Sequence, residues 1–133
     1  MPHRHTIRVR YAETDQMGVA HHGALVVWLE ECRIEMLRDC GASYRELEAN
    51  GVFMPVVELA IRYRRSLHFD DVAECATTVT NTGPSRMTFA TVVSHAGAVC
   101  AEAEVTVAAV GRDGRLTRIP AEVVARMTAG PAP

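Results

Sequence analysis

An α+β fold, one antiparallel sheet with a single long helix laid on it, is what this chain of 133 residues predicts. Two patterns carry that expectation. Five separate runs are strand-like, two of them with apolar residues at every second position, the mark of strands with one wet face. Only one long stretch, from about His22 to Cys40, has helical spacing: Leu25, Leu29, Cys32, Met36 and Cys40 share a stripe at steps of four and three. Hydrophobic residues make up 48% of the chain, enough for one core, and the length suits one domain spanning residues 1–133.

Ile7, Val9 and Tyr11 alternate with Arg8, Arg10 and Ala12 and form the first strand. The residues before it, His3 and His5 included, read as a short flexible terminus of about five residues, and 129–133 as a second one. A polar loop, Glu13 to Gly18, feeds the long helix. Gly41 stands where a left-handed helix-ending residue belongs. The helix begins "ALVVWL", apolar nearly all round, and its charges come only later, so that end must be enclosed. Ser43 and Glu46 have capping-box spacing for a short second helix that Gly51 ends. Four strand-like runs follow. Val57, Leu59, Ile61 and Tyr63 alternate with Glu58, Ala60, Arg62 and Arg64; the others are Val72–Thr80, Met87–His95 and Ala98–Val110. Turn residues at Thr82–Ser85, Ala96–Ala98 and Asp113–Gly114 keep the connections short, so neighbouring strands are antiparallel. Pro120 opens a short terminal helix. One five-stranded sheet covers only part of the long helix. A second copy is the economical way to finish its burial, so a homodimer is expected.

Composition excludes several functions. A net charge of −2 leaves no basic footprint for nucleic acid, and an aromatic content of 5% leaves no base-stacking platform. All 14 cationic residues are Arg; without Lys there is no Walker A loop and no Schiff-base lysine. Cys32, Cys40, Cys75 and Cys100 lack C-x-x-C spacing and lie in apolar segments, as reduced, buried thiols do. No apolar leader opens the chain, and the longest uncharged run, Met87 to Ala101, is short of the ~20 residues a membrane span needs. A cytoplasmic protein with no membrane contact is the expectation.

The chemistry concentrates in "YAETDQMGVAHHG", Tyr11 to Gly23. This loop leads to a helix N-terminus, where backbone N–H groups lack partners and carry partial positive charge. Such an end stabilises an oxyanion. Asp15 precedes His22 by seven residues, and Gly18 lets the chain bend back between them. A carbonyl in the gap would be polarised on one side and met by a carboxylate on the other, which suits acyl transfer to water. By spacing alone, Asp15 could equally be a helix cap.

That loop, the helix tail "EECRIEMLRDCGASYRELEANG", the strand "MPVVELAIRYRRSLHFDD" and the ending "GRLTRIP" resemble the 4-hydroxybenzoyl-CoA thioesterase family of hotdog-fold proteins, including its broad acyl-CoA thioesterase branch. The resemblance runs over nearly the whole chain. It implies a hotdog fold, a five-stranded antiparallel sheet wrapped around one central helix, and hydrolysis of an acyl-CoA to a free acid and coenzyme A. It implies that Asp15 is the catalytic carboxylate, as general base or nucleophile. The N–H of His22 polarises the thioester carbonyl, and the His22 side chain orients the substrate or holds the loop. It further implies that Gly18, Val19, His21 and Gly23 border the substrate, and that no metal or redox cofactor takes part beyond the coenzyme A of the substrate. A homodimer or a dimer of dimers is the expected assembly.

Three positions depart from the family pattern. His21 stands where an aromatic residue is usual, Ala24-Leu25 where Asn-Tyr is usual, and Ser66-Leu67 where Pro-Ala is usual. The first two border the acyl group, so the substrate is open while the reaction class is not. Phosphates of coenzyme A need cations, and Arg62, Arg64, Arg65 and Arg86 are the candidates. Asp70-Asp71 reads as turn chemistry, and His68 and His95 as surface residues at strand ends. His21 and His22 are adjacent and do not suit one metal ion. Three other readings compete: a carrier-protein thioesterase, a dehydratase on the same fold, and a non-catalytic acyl-thioester-binding module. The Asp-bearing loop disfavours the last two.

Overall fold

The computed structural model describes residues 1–129. Its strands are β1 (His3–Arg8), β2 (Val56–Tyr63), β3 (Val72–Thr82), β4 (Arg86–His95) and β5 (Ala98–Ala108). Its helices are α1 (Ala24–Asp39), α2 (Tyr44–Ala49) and α3 (Ala121–Ala129). The strands form one sheet in the order β1-β3-β4-β5-β2, and every neighbouring pair is antiparallel. β3, β4 and β5 are a meander joined by tight turns, and β2 closes the edge opposite β1.

Helix α1 lies on this sheet. Its buried side chains, Leu25, Trp28, Leu29, Cys32, Arg33, Met36 and Leu37, advance in steps of three and one, a continuous stripe about half of the helix wide. The stripe joins two clusters. One gathers Leu25, Trp28 and Cys32 against Cys75, Val93 and Ala101; the other gathers Leu29, Met36 and Leu37 against Phe89, Val105 and Val107. Cys40 ends the helix, and Gly41 at φ +87° turns the chain away, a conformation that glycine adopts without cost. Ser43 caps α2 by accepting the Glu46 N–H at 3.1 Å. All four cysteines are free thiols.

Two expectations change. β1 begins at His3, so His3 to His5 are not a flexible terminus. His3, 3% exposed, has its Nε2 2.7 Å from the Asp39 carboxylate, and His5 reaches Glu31 at the same distance. The inward positions of this strand start with imidazoles, which an apolar alternation does not detect. At its other end the strand stops early: Tyr11 sits in a 3₁₀ turn, Tyr11–Glu13, exposed and edge-on to Phe69. Of the second terminus, only Ala129 lies within the described residues, and it belongs to α3; residues 130–133 lie outside them.

Burial is incomplete along one side. Val26 and Val27 on α1 are exposed, and so are Val56, Val57, Leu59 and Tyr63 on β2. β2 alternates as expected, yet it is largely open on both faces, and no described residue pairs with its outer edge.

Candidate active site

The loop between the 3₁₀ turn and α1 is fastened at several points. Glu13 is the anchor. Its carboxylate is 9% exposed; Oε1 accepts the Arg10 N–H at 2.8 Å, and Oε2 accepts the indole N–H of Trp28 at 2.7 Å. Burial by itself pushes the Glu13 carboxyl up, but these bonds and the Arg10 guanidinium outweigh it, and the group is held below the usual glutamate range. The Glu13 carbonyl also accepts the His21 N–H at 2.7 Å, so one residue grips both the start and the first turn of the helix region. Farther along, the Ala20 N–H donates to the Leu67 carbonyl at 2.6 Å. Gly18, at φ +82°, provides the reversal between Asp15 and Val19.

Asp15 does not cap α1. The N-cap position is Gly23, without a side-chain bond, and the first turn holds no acidic residue. Asp15 Oδ1 instead accepts the Met17 N–H at 2.9 Å and, more weakly, the Val19 N–H at 3.5 Å. Oδ2 has no hydrogen-bond partner among the described residues. The helix start is therefore electrostatically open. There the Gly23 N–H donates to His21 Nδ1 at 3.0 Å, and the Ala24 N–H to the His21 carbonyl at 2.9 Å. The N–H groups of His22 and Leu25 have no acceptor among the described residues. The Tyr63 hydroxyl donates to the His22 carbonyl at 2.8 Å and fixes the orientation of that peptide; burial raises the Tyr63 phenol above its ordinary value.

Asp15 and His22 line one cavity of about 290 Å³. Leu25 and Leu67 are its buried apolar walls, and Met17, Tyr63, Arg64 and Arg65 stand around the opening. A carboxylate oxygen without a partner and N–H donors without acceptors thus share one half-apolar space. That arrangement can polarise a carbonyl and deliver a base or nucleophile to it. Val19 borders the same cavity. Gly18, His21 and Gly23 shape the loop but do not line it.

The four arginines separate. Arg64 and Arg65 are at this cavity, Arg64 with its Nη2 3.0 Å from the Glu102 carboxylate. Arg62 and Arg86 are not: each lines a different depression, Arg62 beside Thr91 and Glu104, Arg86 beside Asn81 and Thr106. Strand alternation sends Arg62 to the face away from α1. The strand ends at Tyr63, so the alternation does not extend to Arg64. Asp71 Oδ2 accepts the His68 N–H at 2.9 Å, the expected turn chemistry. Among the described residues no group of three or more His, Cys, Asp or Glu side chains could hold a metal ion, and no helix is long and apolar enough to cross a membrane. The sequence reading missed Glu13, Trp28, Tyr63 and Leu67. Glu13 and Trp28 carry a detectable signal, an acid and an indole flanking a helix start.

A five-stranded antiparallel sheet carrying one long helix, with an acid loop at the helix start, defines a hotdog protein. The chain belongs to the thioesterase-like superfamily, whose model matches residues 9–127. It is similar to a putative acyl-CoA thioesterase, YneP, of Bacillus subtilis, 45% identical over 67 residues; that match covers 50% of this chain and 49% of the relative, so the chain spans about half of that protein's length. The acyl-CoA thioester hydrolase YbgC of Escherichia coli is 32% identical over 108 residues, 80% of this chain and 81% of the relative. Among solved structures, the hypothetical protein TT1821 of Thermus thermophilus superposes with a TM-score of 0.89 at 36% identity, covering 95% of this chain and 97% of that one. DHNA-CoA thioesterase of Staphylococcus aureus superposes with a TM-score of 0.89 at 25% identity, covering 95% and 90%.

Proposed function

We propose that this chain hydrolyses acyl-coenzyme A thioesters to a free carboxylic acid and coenzyme A. The observation that carries the reading is the shared cavity of Asp15 and the unpaired His22 N–H at an uncapped helix start. The thioester carbonyl oxygen accepts the His22 N–H, with the Leu25 N–H as a second donor nearby. Asp15 Oδ2 takes a proton from water as its oxygen attacks the carbonyl carbon, or attacks that carbon itself and is released by water afterwards. Either way the C–S bond breaks, the sulfur leaves as coenzyme A and is protonated, and water supplies the oxygen of the acid. Neither route needs a metal or redox cofactor. Tyr63 holds the His22 peptide in place. Arg64 and Arg65 at the opening meet the phosphates of the nucleotide end. Wild-type protein should release free thiol from at least one member of an acyl-CoA panel. Release from carrier-protein thioesters alone would move the assignment to that substrate class, and release from neither would refute it.

The working unit in this reading is a homodimer joined along β2. A two-fold axis through Ala60 would pair the two β2 edges antiparallel. Leu59 then meets Ile61 of the second copy on the helix side, and Glu58 meets Arg62 of the second copy on the other face. The exposed valines of β2 and α1 and this self-complementary charge pattern support the pairing.

A further inference from the structure

The mechanism leaves one sizeable cavity unused. It measures about 570 Å³ and lies between the middle of α1 and the start of β2. Its walls include Ile34, Phe53, Met54 and Val110, and Tyr44 and Arg33 supply its polar interior. Arg33 is 7% exposed, its buried Nε has no hydrogen-bond partner, and no carboxylate lies within ion-pair distance of it among the described residues. Burial pushes the Tyr44 phenol up, and the adjacent guanidinium pulls it partly back. Glu30 and Glu48 also line the cavity, but both are exposed, where water screens them. A buried guanidinium without an ion-pair partner is costly, and beside the apolar walls of Ile34, Phe53, Met54 and Val110 it calls for an anion brought in on an apolar stem.

Arg33 is roughly 16 Å along the helix axis from His22 of its own protomer, too far to meet a short acyl group bound there. Across the seam the relation is different. With the axis at Ala60, the bulged end of β2 at Val56 and Val57 lies beside Tyr63 of the second copy, one strand spacing or about 4.8 Å away. Val56 borders the Arg33 cavity, and Tyr63 borders the Asp15 cavity. The two chambers therefore meet where the protomers join. We propose that Arg33 of one protomer receives the far end of the acyl group whose thioester sits at Asp15 of the other, and that the preferred acyl group ends in a carboxylate. The substrate class is then the monothioester of a dicarboxylic acid, with a guanidinium–carboxylate pair fixing the distal end. This inference rests on the thioesterase and dimer readings above and narrows them.

The test compares acyl-CoA pairs of equal length, methyl-ended against carboxyl-ended: hexanoyl with adipyl, octanoyl with suberyl, decanoyl with sebacyl. At one length or more, kcat/KM should be at least about tenfold higher for the carboxyl-ended member, and Arg33→Met should abolish that ratio while sedimentation velocity still shows a dimer. Methyl-ended substrates preferred at every length would overturn the proposal, and so would a ratio that survives Arg33→Met. Dissociation of Arg33→Met into monomers would also overturn it, by assigning the guanidinium to a carboxylate of the second copy. The wild-type comparison decides alone if the variant does not fold. Failure to release thiol from any acyl-CoA refutes the thioesterase reading, whereas release without a carboxyl preference refutes only this one.

Discussion

Glu13 should hold the Asp15 loop to the helix, and replacing it with Gln tests that bond by bond. The wild-type carboxylate accepts from the Arg10 N–H at 2.8 Å and from the Trp28 indole at 2.7 Å, one oxygen each. Glutamine has one acceptor oxygen. One donor keeps a partner, now neutral, at a loss of about 1 kcal/mol; the other faces an NH₂ group and is left unsatisfied in a buried place, at about 2 kcal/mol. The Arg10 guanidinium is exposed and adds little. The sum, about 3 kcal/mol, corresponds to a fall of roughly 10 °C in Tm for a domain of this size. Acid should narrow the difference. The fold favours the carboxylate and depresses its pKa. Its contribution is therefore complete above the unfolded glutamate value, about 4.3, and fades as pH falls through the lower folded value. Urea unfolding of both proteins at pH 7 and near pH 3.5 measures this. A gap under about 1 kcal/mol at pH 7, or the same gap at both pH values, would refute the role given to Glu13.

Other consequences follow from the opening of the cavity and from the seam. Arg64→Ala combined with Arg65→Ala should raise KM for acyl-CoA while kcat changes little, and added salt should reproduce the effect in wild type, since exposed phosphate contacts are screened. Steady-state kinetics across ionic strength checks this; a fall in kcat at constant KM would contradict it. Glu58→Arg should weaken the dimer and thiol release together, and Arg62→Glu in the same chain should restore both. Sedimentation velocity beside the thiol assay reads the pair, and a fully active monomer would remove the shared site.

The fold was legible because its signals are local. The spacing of α1, the capping residue Ser43 and the turns around the β3–β5 meander each lie within a few residues, and each formed as expected. The Asp15 loop was legible for the same reason: its acid, its glycine and the helix start are consecutive. What stayed hidden depends on partners distant in sequence. His3 and His5 look like a tail until Asp39 and Glu31 are brought beside them. Trp28 looks like one more core residue until its N–H meets Glu13, and Tyr63 like a strand residue until its hydroxyl meets His22. Arg62 and Arg64 look alike in the alternating pattern but line different cavities, because the strand ends between them. Arg33 sits on the apolar stripe of α1, where a charge carries no periodic signal, and only its burial marks it.

The central claim is that Asp15, opposite the open start of α1, carries the chemical step. Asp15→Asn keeps the shape of the side chain and an acceptor for the Met17 N–H but removes the charge. Free-thiol release on the best acyl-CoA of the panel should fall by at least roughly 10²-fold in kcat, the scale of a positioned base, with Tm and sedimentation unchanged. Turnover near the wild-type rate by a folded, dimeric Asp15→Asn would contradict the account.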